Sequence, residues 1–207
     1  MRQMDVDRTD KQFTRNWFTQ RNRPTFIEYV LPKWANQPIT YLELGIFEGM
    51  SMVWMMQYVL THPQSRAVGI DPWLQTMKQD NAYMEEVWGR AVHNLKSYPT
   101  CQLVRCTSAV ALRKMLHRRG WCGLSRASVD VCMIDGEHNA LAVLDDAILA
   151  VQLLKPGGWL LFDDVENKGN FDDHVKHGIK MFLESNPGVH QLWKHGHMEC
   201  YEKRQGT

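Results

Sequence analysis

No stretch of the 207 residues is both long and apolar enough to span a bilayer. The opening run from Met1 to Trp17 has charges but no apolar core behind them, so neither a signal peptide nor a membrane anchor is read there. Cysteine is scarce: five residues, an odd number, with no Cys-x-x-Cys spacing. That pattern argues against a disulfide scaffold and suits a reducing compartment. A cytoplasmic location and no membrane partner are the expectation. Charge of one sign is not in excess either, with Lys+Arg 24 against Asp+Glu 23 and a net +1. Without a global field to attract a polyanion, nucleic acid is not an expected partner. Internal repeats, low-complexity segments, His-Glu-x-x-His motifs and Cys/His zinc spacings are all missing.

What is present is a regular alternation. Ile39 to Leu44 is a β-prone apolar run between Pro38 and Gly45, and Ser51 to Leu60 follows as a helix. The strands Ala67–Ile70, Cys101–Cys106, Val129–Ile134 and Trp159–Phe162 then alternate with helices Tyr83–Leu95, Val110–Arg119 and Leu141–Leu154. Lys155-Pro156-Gly157-Gly158 reads as a turn. Alternation of this kind predicts an α/β fold with a mostly parallel, Rossmann-like sheet and helices on both faces. The end differs: after a helix at Val175–Ser185, the runs Val189–Lys194 and His197–Glu202 meet at His195-Gly196 as an antiparallel hairpin. Ahead of the core, residues 1–37 read as a helical extension or lid, broken near Arg21-Asn22-Arg23-Pro24, and residues 38–207 as the main domain.

In open α/β sheets ligands sit beyond the carboxyl ends of the strands. The first such turn is Glu43-Leu44-Gly45-Ile46-Phe47-Glu48-Gly49. A dinucleotide fingerprint needs a second glycine where Phe47 stands, and a phosphate-binding loop needs a Gly-Lys-Ser/Thr that is missing. Gly45 and Gly49 would instead let the chain pass under a ligand without phosphates, with Glu43 placed for an ammonium group. An ordinary strand-to-helix turn with two glycines is the competing reading. The second strand ends at Asp71, which could accept both hydroxyls of a ribose or, standing before Pro72, could simply initiate a turn.

With these two features at successive strand ends, the sequence resembles the class I S-adenosylmethionine-dependent methyltransferases, from about Ile39 to the C-terminus. The resemblance implies a seven-stranded sheet and S-adenosylmethionine as cofactor. It places Glu43, Gly45 and Gly49 in the cofactor loop, Ser51 at the methionine carboxylate, Asp71 on the ribose and Ser108 near adenine. Ser108 also fits a plain helix N-cap.

Val129–Ile134 leads into Asp135-Gly136-Glu137-His138, and Trp159–Phe162 into Asp163-Asp164. Asp135, Asp163 and Asp164 gathered at one sheet edge would repel unless a cation held them, and oxygen donors suit Mg²⁺ or Ca²⁺. Asp163 and Asp164 can share a ligand only if the chain turns between them. The alternative makes Asp135 a site acid and leaves Asp163-Asp164 capping a loop. The pattern resembles the metal-dependent O-methyltransferases of the catechol and macrolide-sugar types, in which these aspartates bind the cation. Where the catechol type carries a lysine base, this chain has His138, a side chain able to take a proton near neutrality or to cap the next helix. The expected activity is methyl transfer to a small-molecule hydroxyl with Mg²⁺ or a similar cation, Asp135 and His138 being catalytic. A metal-free enzyme acting on nitrogen or a macromolecule, and a non-catalytic binding protein, stand as alternatives.

Overall fold

The computed structural model describes residues 4–75, 80–118, 121–166 and 174–204. Seven strands form one sheet in the order β3-β2-β1-β4-β5-β7-β6. They are β1 Thr40–Leu44, β2 Arg66–Asp71, β3 Cys101–Arg105, β4 Val129–Ile134, β5 Leu154–Phe162, β6 Val189–His195 and β7 Met198–Lys203. The first five run parallel, and β7 lies antiparallel to both β5 and β6.

The pleat sorts side chains onto two faces, because successive residues of a strand point oppositely. Tyr41, Val131, Met133, Trp159 and Leu161 join one core, and Leu42, Leu44, Cys132, Ile134, Leu160 and Phe162 the other. The first core is closed by α4 (Met50–Tyr58), α5 (Asn81–Leu95) and the N-terminal turns. The second is closed by α6 (Ser108–His117), α7 (Ala140–Leu153) and α8 (His174–Ser185). Helices therefore cover both faces. No helix among the described residues is long and apolar enough to cross a membrane, and all five cysteines are free.

Three boundaries differ from expectation for local reasons. The expected turn at Lys155–Gly158 is absorbed into β5: Val129 pairs with Leu154, but Val131 pairs with Trp159, so the Pro-Gly-Gly segment loops out as a bulge. The helix expected at Val110 begins at Ser108 and ends at His117; Arg119 lies outside the described residues. The N-terminal helix is a chain of short turns, α1 (Trp17–Arg21), α2 (Arg23–Thr25), a π-turn at Phe26–Val30 and α3 (Leu31–Trp34). Pro24 and Pro32 each sit in a first turn, where a missing N–H costs nothing, and so segment the run without ending it.

Candidate active site

β1 lies between β2 and β4, so the connections leaving β1 and β4 diverge to opposite sides and open a crevice beyond their carboxyl ends. A cavity of about 570 Å³ occupies it. The floor is built where the β1 and β4 turns nearly touch. Gly45 has φ +87°, and a Cβ there would fall 1.9 Å from the Asp135 carbonyl oxygen, so only glycine fits. Phe47 is also left-handed, at φ 51°, and is held so by bonds at both ends of its peptide. Its N–H and that of Ile46 donate to Asp71 Oδ2 at 3.0 and 2.9 Å, while its carbonyl accepts from Trp73 Nε1 at 2.9 Å.

Asp71 thus pins the glycine turn from the neighbouring strand, and its Oδ1 accepts from Trp73 N at 2.8 Å. It also lines the cavity. Burial raises its pKa and these backbone donors oppose the rise. Each carboxylate oxygen has two acceptor sites; both on Oδ2 and one on Oδ1 are filled, so room remains for one hydroxyl donor rather than the two of a ribose. Gly45, Ser51 and Ser108 line the same cavity. Glu43 and Gly49 do not line it. Glu43 is wholly buried, where Ser51 Oγ donates to its Oε1 and Oε2 has no hydrogen-bond partner. Burial lifts its pKa to about 7. Its place is beneath the glycine turn, holding Ser51, and not on the cavity wall where a ligand's ammonium group could reach it. Gly49, at φ +81°, is the left-handed cap that starts α4, packed on Leu95. Ser108 follows the cap residue Thr107 and faces Asp146, whose pKa burial raises to about 6.

The acids at the ends of β4 and β5 separate into two groups. The chain does turn after Asp163, with Asp164 at φ 54°. His138 Nε2 lies 3.7 Å from Asp135 Oδ1 and 3.4 Å from Asp164 Oδ2, and one donor atom from each of these three residues falls within 4.8 Å of the others. Asp163 is engaged elsewhere: Asn22 Nδ2 donates to its Oδ2 at 2.6 Å, and Asp164 N to its Oδ1 at 2.8 Å. His197 Nε2 stands 3.2 Å from that Oδ1 and 2.9 Å from Asn22 Oδ1. Arg21 Nη2 bonds Asp164 Oδ1 at 2.6 Å. Arg21, His138 and the polar pair Asn22–His197 therefore meet the mutual repulsion of the carboxylates from within the chain. Burial and the charge of Asp163 raise the Asp135 pKa well above its usual range, and the neighbouring Asp135 carboxylate raises that of His138.

Residues 42–165 match a protein family described as a methyltransferase domain, well over half of the chain. The chain belongs to that methyltransferase family. It is 23% identical over 185 residues to an uncharacterized protein of Acanthamoeba polyphaga mimivirus, covering 87% of this chain and 76% of the viral one. Among solved structures, an O-methyltransferase from Bacillus cereus in complex with SAH aligns at TM-score 0.60 and 18% identity, over 87% of this chain and 80% of that one. A protein described as a candidate rRNA methylase from Clostridium thermocellum aligns at TM-score 0.64 and 13% identity, over 89% and 97%. The methyltransferase is thus an S-adenosylmethionine-dependent enzyme by family, with the seven-stranded fold expected of it.

The N-terminal segment supplies one wall of the methyltransferase site through Arg15, Trp17, Phe18, Arg21 and Asn22. Glu48, inside the glycine turn and only 2% exposed, anchors it. Its carboxylate accepts from Thr14 N at 2.7 Å, Thr14 Oγ1 at 2.6 Å and Arg90 Nε at 2.6 Å. Asn94 continues the clasp, accepting from Gln12 N at 2.6 Å and donating to the Gln12 and Glu48 carbonyls. Sequence reasoning singled out none of Arg21, Asn22, Glu48, Asn94 and His197. Their partners lie 34 to 175 residues away, and nothing local marks a polar residue as one half of such a pair. Residues 167–173, between β5 and α8, lie outside the described residues.

Proposed function

We propose that this methyltransferase moves the methyl group of S-adenosylmethionine to a hydroxyl oxygen of a small molecule, with His138 as proton acceptor. The observation that carries the reading is His138 Nε2 set between the carboxylates of Asp135 and Asp164 on the wall of the cavity. The cofactor supplies an electrophilic methyl on a sulfonium, and the enzyme must align the oxygen opposite the sulfur and remove its proton. Gly45, Ser51, Asp71 and Ser108 all line the cavity; in this reading the first three would face the cofactor's methionine and ribose, and Ser108 its adenine. A hydroxyl presented to His138 would pass its proton to the unprotonated nitrogen of the ring, and the two carboxylates facing Nε2 would stabilise the imidazolium so formed. The wall formed by residues 15–22 favours a small acceptor over a macromolecule.

A second reading rests on the same three groups. Asp135, His138 and Asp164 offer two oxygens and one nitrogen, a set that accommodates a divalent cation of the Mn²⁺ or Zn²⁺ kind more readily than the all-oxygen shell preferred by Mg²⁺. A cation there would lower the pKa of a coordinated hydroxyl, and His138 would then be a ligand rather than the base. The test is methyl transfer from labelled S-adenosylmethionine to a panel of hydroxylated small molecules, read by mass spectrometry with and without exhaustive chelation. Under the first reading activity survives chelation, His138→Ala loses roughly 10²–10⁴-fold, and kcat/KM rises with pH through a pKa above the ordinary histidine value. Asp135→Asn should move that rise to lower pH, because the Asp135 carboxylate raises the His138 pKa. Activity lost on chelation and restored by added Mn²⁺ assigns the second reading. Transfer exclusively to nitrogen would overturn both.

A further inference from the structure

Arg15 and Trp17 stand apart from the machinery described above, yet both line its cavity. Two arginines line the cavity, and one of them, Arg21, pairs with Asp164. Among the described residues the Arg15 guanidinium has no such partner, while its backbone is tethered through Arg15 N to Glu48 Oε2 at 3.4 Å. An unpaired guanidinium on a wall otherwise rich in acids is a ready anion receptor, since its planar fork matches the two oxygens of a carboxylate.

Two residues along, Trp17 is 54% exposed despite its size. Its ring lies 4.9 Å from that of Phe47 at an interplanar angle of 36°, and Phe47 is held in the left-handed conformation that turns it to the cavity. An aromatic pair beside a free arginine is suited to a planar ring bearing a negative charge. Glu48 brings the two segments together, since it follows Phe47 in the glycine turn and accepts from Thr14 N, Thr14 Oγ1 and Arg15 N.

We infer that the acceptor is an aromatic carboxylic acid, its ring against Trp17 and Phe47 and its carboxylate on Arg15. This rests on the reading of the cavity as a hydroxyl-methylating site, and it adds the class of molecule methylated. Arg15 is a specificity-determining residue in this account, with no part in the proton transfer.

The test separates binding from turnover. Calorimetry on the full chain saturated with S-adenosylhomocysteine compares para-hydroxybenzoate with para-hydroxybenzamide, which keeps the ring and hydroxyl but not the charge. The acid is expected to bind about tenfold more tightly, a modest value for a charged hydrogen bond at an exposed mouth. Arg15→Ala should abolish the preference, Arg15→Lys should restore part of it, and Trp17→Ala should weaken acid and amide alike. Equal affinity for acid and amide in the unaltered protein, or a preference that survives Arg15→Ala, overturns the inference. Methyl transfer to the ring hydroxyl is followed in parallel. The preference without transfer would count against hydroxyl methylation and leave the anion site standing, whereas transfer without the preference would do the reverse.

Discussion

At Gly45 two strand ends meet so closely that the backbone of one occupies the space a side chain on the other would need. Gly45→Ala should therefore cost well over the roughly 1–2 kcal/mol that left-handed backbone alone imposes on a non-glycine residue, seen as a lowered urea midpoint and lost cofactor binding. Glu43 illustrates a different residue-scale effect. Its folded pKa of about 7 lies above the ordinary glutamate value of 4.5 because burial disfavours the charge. Between those values the folded protein keeps a proton that the unfolded chain has released. Stability from this group is full below pH 4.5 and is lost as pH rises toward 7. Over that window the loss is on the order of 3 kcal/mol. Glu43→Gln should flatten the slope in urea denaturation curves taken across this range; an unchanged slope would mean that another group carries it.

At the scale of elements, the glycine turn and the N-terminal segment behave as one unit because Glu48 joins them. Removing one side of a buried charged pair typically costs about 3–5 kcal/mol, since the remaining charge is stranded. Glu48→Ala leaves Arg90 only its exposed partner Glu86, which places the cost at or below the low end of that range, and frees Thr14. The expected result is faster hydrogen exchange at residues 12–15 and weaker binding of both cofactor and acceptor. Unaltered exchange there would show that the segment is held by its apolar contacts alone. The strands and glycine turns were legible in the sequence because their signals are local: apolar runs of strand length, bounded by Pro38, Gly45 and Asp71, in strict alternation with helices. The bulge at Pro156 was not, because a strand that loops out and resumes looks in sequence like a turn followed by a strand. His138 near Asp135 was legible from a spacing of three residues, whereas Asn22 and His197 on Asp163 come from 141 and 34 positions away.

At the scale of the whole molecule, the strand order places β1 and β4 side by side, and every chemical feature of the site follows from that adjacency. The turn after β1 meets the end of β2 through Asp71 and the end of β4 through Gly45, so the three strand ends form one continuous sheet edge. The N-terminal segment crosses that edge and closes it, which makes the cavity a property of the full chain. The central claim is that this edge binds S-adenosylmethionine, and it can be tested before any acceptor is known. Calorimetric titration of the purified protein should show one S-adenosylmethionine per chain and no heat from NAD. Asp71→Ala should weaken binding by about 1.5–3 kcal/mol, the contribution of a charged hydrogen bond. Absence of S-adenosylmethionine binding, or equal affinity in the unaltered protein and Asp71→Ala, would contradict the account.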